Sequence, residues 1–111
     1  KTLVVKGASG AYYVFDIPVA ENLDLKKAAK AVGEKSVAML PQKELLPLTG
    51  YVHGGCSPVG MKKQFPTVFH ETVELFDTIC VSAGKIGAQV EVAPADLIAL
   101  LGAQTADVTA E

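Results

Sequence analysis

Lys1-Thr2-Leu3-Val4-Val5-Lys6 runs directly into Gly7-Ala8-Ser9-Gly10, and Ala11-Tyr12-Tyr13-Val14-Phe15-Asp16-Ile17-Pro18-Val19 follows. In the first run, alternation of period two puts Lys1, Leu3 and Val5 on one face and Thr2, Val4 and Lys6 on the other. The glycine-bounded tetrad reads as a turn, and the second run is rich in the aromatic and β-branched residues that suit a returning strand. The stretch therefore predicts an antiparallel hairpin, and the rest of the fold has to be arranged around it.

Outward from the hairpin, strands and helices alternate irregularly. Asn22 or Asp24 can cap a helix reaching about Val32, with Leu25, Ala28, Ala29 and Val32 at the i, i+3, i+4, i+7 spacing of one buried face. Gly33 stands where a left-handed cap belongs. Ser36 to Leu40 reads as a short strand, and Pro41 opens a brief helix through Leu46, stopped near Pro47 and Gly50. Tyr51 to Phe65 is glycine- and proline-rich loop chemistry. Thr67 to Phe69 and Ile79 to Ser82 are strand candidates, with Glu71 to Phe76 open between them. Gly84-Lys85-Ile86-Gly87 is a tight hairpin connection into a strand over Ala88 to Val92. Pro94 takes the first position of a helix that Gly102 ends, and Ala103 to Thr109 can supply an edge strand. Hairpins without regular βαβ alternation predict an α+β domain over residues 1–111 with a mixed or antiparallel sheet, and disfavour a doubly wound dinucleotide fold.

Composition narrows the function. Half of the 111 residues are hydrophobic and 20% are charged, an ordinary globular balance. No apolar run is long enough to cross a bilayer. The two cysteines, Cys56 and Cys80, give neither a disulfide framework nor metal-ligand spacing, so no metal or cofactor is expected and the cytosol is the default compartment. A net charge of −2 argues against gripping nucleic acid by bulk electrostatics. The lysines at 26, 27, 30 and 35 read as a solvated helix face.

The densest chemical signal is Gly54-Gly55-Cys56-Ser57-Pro58-Val59-Gly60. Adjacent glycines let backbone N–H groups line a concavity that can hold a phosphate or an acyl-transfer oxyanion, and a plain glycine turn is the alternative reading. It is not a phosphate-binding P-loop, because Met61-Lys62 follows where Lys-Ser/Thr is required. No Ser-His-Asp arrangement is visible, and His53 and His70 read as structural or surface imidazoles. Cys56 lacks an identifiable base and reads as a small buried thiol. Lys1, at the head of an apolar strand face, is either a solvated chain-end lysine or a cation able to bind developing negative charge. Ser82, beside Gly84, suits either a pocket wall or turn chemistry.

Taken together, Lys1-Thr2-Leu3, Leu23-Asp24-Leu25-Lys26-Lys27, Thr49 to Gly60, Val81-Ser82-Ala83-Gly84-Lys85-Ile86-Gly87 and Pro94-Ala95-Asp96-Leu97 resemble, in order, the YbaK/EbsC family of aminoacyl-tRNA deacylases, also called the prolyl-tRNA synthetase-associated domain. The resemblance implies a mixed, partly barrel-like sheet with helices packed around it. It also implies hydrolysis of the ester of mischarged tRNA, typically cysteine or alanine on tRNA for proline. The partners implied are the acceptor end of aminoacyl-tRNA and prolyl-tRNA synthetase.

The family's essential lysine falls at Lys1, its glycine pair at Gly54 and Gly55, and its pocket serine at Ser82. Thr49, Ser57, Gly84 and Gln89 join them as implied substrate-binding positions. Members carry a helical and strand segment before that lysine, so the chain reads as the family's domain without it. Departures are Cys56 at an aliphatic or small position, Ala83 for a frequent glycine, Ile86 for a frequent basic residue, and Gln89 where some members carry an acid. The rival expectation is a non-catalytic module that binds an aminoacyl-adenosine or nucleotide and regulates a partner.

Overall fold

The structure, a computed structural model, describes residues 1–110. Seven strands, three α-helices and a 3₁₀ turn follow one another as β1 (Thr2–Gly7), β2 (Tyr12–Asp16), α1 (Leu25–Val32), β3 (Val37–Met39), α2 (Gln42–Thr49), β4 (Thr67–His70), the turn Glu71–Leu75, β5 (Ile79–Ser82), β6 (Gln89–Val92), α3 (Pro94–Leu101) and β7 (Gln104–Ala106). The main sheet is ordered β3-β1-β2-β4-β7. The β1 strand pairs antiparallel with β2 and β3, whereas β2–β4 and β4–β7 are parallel. The β5–β6 hairpin stands apart as a second, antiparallel sheet. This is the α+β architecture with a mixed sheet; it stays open at β3 and β7, with no closed barrel among the described residues.

The sheet's two faces carry different cores. Val5 and Phe15 face α1, where they pack with Ile17, Ala28, Ala29, Val37, Val68 and Val108. Val4 and Val14 face the opposite side and pack with Leu45, Cys56, Met61 and Phe65, which anchors α2 and the glycine-rich loop. A third cluster, Phe69, Val73, Val81 and Leu97, ties α3 and the β5–β6 hairpin to β4. Burying Phe15 and Phe69, each at most 1% exposed, contributes about 1.5–3 kcal/mol per side chain.

Local chemistry sets the helix ends. The Asp24 side chain accepts from the Lys26 and Lys27 N–H groups, and Gly33 takes φ 74° beyond the last turn of α1. Ala28 and Ala29 are buried, but Leu25, the first residue of the expected apolar face, is 39% exposed. The second helix runs past Leu46 to Thr49 with Pro47 inside it. Pro47 cannot donate to the Lys43 carbonyl and so forfeits one backbone bond without ending the helix, which Gly50 terminates instead. The open segment at 71–76 is a 3₁₀ turn over Glu71–Leu75. Among the described residues, no helix is long and apolar enough to cross a membrane.

Candidate active site

The end of the sheet where β1 begins and β2 stops opens into a cleft of about 300 Å³, closed on the far side by the glycine-rich loop and the β5–β6 hairpin. Lys1, Gly54, Ser82 and Gln89 all line it. Lys1 is held there by the sheet: its main-chain nitrogen donates to Ile17 O at 2.6 Å, and Ile17 N–H returns to Lys1 O at 3.0 Å. A second, smaller hollow of about 160 Å³ adjoins the cleft. It is walled by apolar groups that include Phe69, Val73, Phe76 and Ile79, and it shares Lys1, Asp16, Val19, Cys80 and Val81 with the cleft.

The two glycines of the loop have different duties. Gly54 borders the cleft at φ 87°, a conformation that suits a residue without a Cβ. Gly55 is buried against the hairpin turn, where an added Cβ would lie 3.1 Å from Ile86 N and 3.2 Å from the Lys85 carbonyl carbon. Its N–H donates to Val52 O at 3.0 Å and is already committed. Among the described residues, the N–H groups of Gly54 and Cys56 have no protein acceptor, and both residues line the cleft. The donors available to an oxyanion are therefore those of residues 54 and 56, not of the adjacent pair.

Three further positions singled out in the sequence lie outside the cleft lining and are engaged in building it. Thr49 is 1% exposed; its hydroxyl donates to Leu45 O at 2.8 Å and accepts from Tyr51 N–H at 3.1 Å. Ser57 is buried, and its oxygen accepts from Val59 N–H at 3.2 Å. Gly84 N–H donates to Ser82 Oγ at 3.1 Å, which holds the serine hydroxyl at the cleft wall.

Gly84 also lies under the Tyr51 ring, so that a Cβ would sit 3.0 Å from Tyr51 Cε1. The Tyr51 hydroxyl donates to Val59 O at 2.5 Å, and a Cβ at Gly60 would meet it at 2.9 Å. Tyr51 thus clamps the glycine-rich loop to the β5–β6 turn. Reading the sequence for chemistry missed it, although a tyrosine beside so glycine-rich a segment is the available signal.

Sequence reading also missed Asp16. The acid ends β2 directly opposite Thr2, and its Oδ1 accepts from the Thr2 hydroxyl at 2.5 Å. Its Oδ2 is buried without a partner among the described residues. Burial pushes the carboxyl up to about 7, against the opposing pull of the Thr2 hydrogen bond and of the positive charge at the Lys1 amino group. The Cys56 thiol is pushed up to about 11, first by burial and then by the nearby Asp16 charge. A thiol in that environment stays protonated at neutral pH and is a poor nucleophile.

A cation, uncommitted amides and a hydroxyl around one small cleft form a set that can bind and polarise an acyl group. The sequence profile of the aminoacyl-tRNA editing domain matches residues 1–100. The chain is 50% identical over 109 residues to the Enterococcus faecalis protein named "Putative Cys-tRNA(Pro)/Cys-tRNA(Cys) deacylase EbsC", covering 98% of this chain and 66% of that protein. A solved structure titled as a "putative trans-editing enzyme for prolyl tRNA synthetase" superposes with TM-score 0.91 at 32% identity, over all of this chain and 69% of the other. A second, of a hypothetical protein, gives TM-score 0.91 at 28% identity, over 99% of this chain and 73% of the other. The chain belongs to the aminoacyl-tRNA editing domain family.

Proposed function

We propose that this domain hydrolyses, in trans, the ester that joins a wrong amino acid to the 3′ end of tRNA. The observation that carries the reading is the meeting of Lys1, Gly54, Ser82 and Gln89 around one acyl-sized cleft. The ester carbonyl would lie toward the Gly54 and Cys56 N–H groups, which stabilise the oxyanion as water adds to the carbonyl carbon. Lys1 would orient the ester or the phosphate of the terminal nucleotide. Collapse of the tetrahedral intermediate breaks the bond to the ribose oxygen, which takes up a proton as the amino acid leaves. An ester needs less activation than an amide, so positioning and oxyanion binding supply much of the catalysis.

The apolar hollow beside the cleft, about 160 Å³, has room for the side chain of the amino acid. The printed name of the Enterococcus faecalis relative supports Cys-tRNA(Pro) as substrate, and the family resemblance adds Ala-tRNA(Pro) as the other candidate. The negative net charge supports a division of labour in which a synthetase, prolyl-tRNA synthetase by the likeness to the solved structure, holds most of the tRNA. The test is deacylation of mischarged tRNA(Pro) by the wild type and by Lys1→Ala. A loss of on the order of a hundredfold or more in rate is expected. An unchanged rate removes Lys1 from the mechanism, and binding of an aminoacyl-adenosine without turnover would replace the hydrolase with a regulatory binding module.

A further inference from the structure

The Asp16 carboxyl is the feature of the cleft that the proposed chemistry leaves unused. The pairing of β1 with β2 puts Asp16 opposite Thr2 and Val14 opposite Val4, so its side chain faces the side of the sheet that carries Cys56 and the glycine-rich loop. It is 8% exposed, one oxygen is bound by Thr2, and the other has no partner among the described residues. Buried polar atoms are nearly always satisfied, and an exception inside a ligand cleft calls for an explanation in the ligand. The groups around it offer none. Lys1 forms no ion pair with it among the described residues. His70, across the apolar hollow, accepts from Val108 N–H at 3.2 Å through Nδ1, and its Nε2 lies 3.4 Å from the Thr109 hydroxyl. Cys56 is a protonated thiol, and Ser82 and Gln89 carry no charge to neutralise a carboxylate.

Position narrows what the missing partner is. Asp16 lines both the cleft that holds Gly54 and the adjoining apolar hollow, which puts it at their junction. An aminoacyl ester with its carbonyl at Gly54 and its side chain in the hollow has its α-carbon at that junction. The α-ammonium then lies roughly 3 Å from the carbonyl oxygen, within the same small space. We propose that Asp16 receives the α-ammonium of the aminoacyl ester and makes the cleft selective for an acyl group that carries a free amine. The inference rests on the editing reading above and deepens it, naming what the cleft recognises besides the ester. Rotation about the terminal torsion of Asp16, which is broad for a carboxylate, brings the unpartnered oxygen to the ligand. The arriving ammonium in turn favours the ionised carboxyl.

The experiment compares two non-hydrolysable ligands, 3′-alanylamino-3′-deoxyadenosine and its propionylamino counterpart, which differ only in the amine. Binding is measured by calorimetry to the wild type, Asp16→Asn and Thr2→Val. The wild type is expected to prefer the alanyl ligand by on the order of tenfold or more, as for a hydrogen bond between charged groups. Asp16→Asn, which keeps shape but not charge, should lose that preference while binding the propionyl ligand unchanged. Thr2→Val keeps the carboxyl and should retain the preference.

Equal affinity of the wild type for both ligands, or for neither, overturns the assignment. So does an Asp16→Asn protein that weakens both ligands equally, which would mark a purely structural role. Hydrolysis of alanyl- and propionyl-adenosine esters, run in parallel, judges the editing reading by itself. Cleavage of both at equal rates keeps the hydrolase and rejects the role of Asp16, whereas binding preference without cleavage keeps Asp16 and rejects the hydrolase.

Discussion

The Thr2 hydroxyl donates to Asp16 Oδ1 at 2.5 Å across the first two strands, and it is the sole hydrogen bond that the buried carboxyl receives from the described residues. One neutral donor does not offset the loss of hydration of a carboxylate, and the group is accordingly held up to about 7.

That shift makes stability depend on pH with a definite sign. The folded state binds the Asp16 proton more tightly than the unfolded state, whose value is near 3.8. The associated stability is fully present below about 3.8 and is lost as pH rises to about 7. The difference between the limits is roughly 4 kcal/mol. Urea denaturation should show wild-type stability falling from pH 4 to pH 7.5 relative to Asp16→Asn. Parallel pH curves for the two proteins would refute this.

Gly55→Ala should damage the loop more than Gly87→Ala damages the hairpin. At Gly55 the new methyl meets Ile86 and Lys85 backbone, which costs about 1–3 kcal/mol as overpacking. At Gly87, φ is 81° and none of the described residues lies within 4 Å of an added Cβ, so only the left-handed strain of about 1–2 kcal/mol applies. Thermal unfolding ranks the two, and deacylation should fall further for Gly55→Ala because the neighbouring amides of residues 54 and 56 move with it.

Tyr51→Phe removes the bond to Val59 O and leaves the ring over Gly84. Global stability should drop by about 1 kcal/mol. Amide exchange across residues 52–60 should accelerate, with little change in α1. Uniform acceleration throughout the chain would refute the clamp.

Thiol labelling separates the two cysteines. Cys80 is exposed and should react with iodoacetamide in the native state, whereas Cys56 is buried with its thiol pushed up to about 11 and should react only on unfolding. Replacing the Cys56 side chain by alanine should leave deacylation within about an order of magnitude. Loss of all activity would make the thiol a participant.

Much of this was legible in the sequence because it is local. The opening hairpin, the Asp24 cap, Gly33, and α3 between Pro94 and Gly102 follow from propensity, turn residues and capping over a few positions. The parallel placement of β4 between β2 and β7 depends on contacts between distant segments and has no local signature. The cleft follows the same division. Lys1, Gly54, Ser82 and Gln89, all singled out in the sequence, line one cleft. The committed amide of Gly55 and the buried positions of Thr49 and Ser57 depend on how the loop lies against the hairpin. Asp16 went unread because an acid two residues before Pro18 looks like the end of a strand. Only the neighbouring strand and loop turn it into a buried group.

The strand order also bears on how the protein matures. Val14 lies beside Thr67 and Val68 beside Gln104, so the sheet closes only after long stretches of chain have been brought together, a step slower than forming the first hairpin. Lys1 and Asp16 come from an earlier part of the chain than Ser82 and Gln89. A ribosome-bound chain therefore carries one wall of this chamber well before the other, and the chamber is complete only once both segments have emerged.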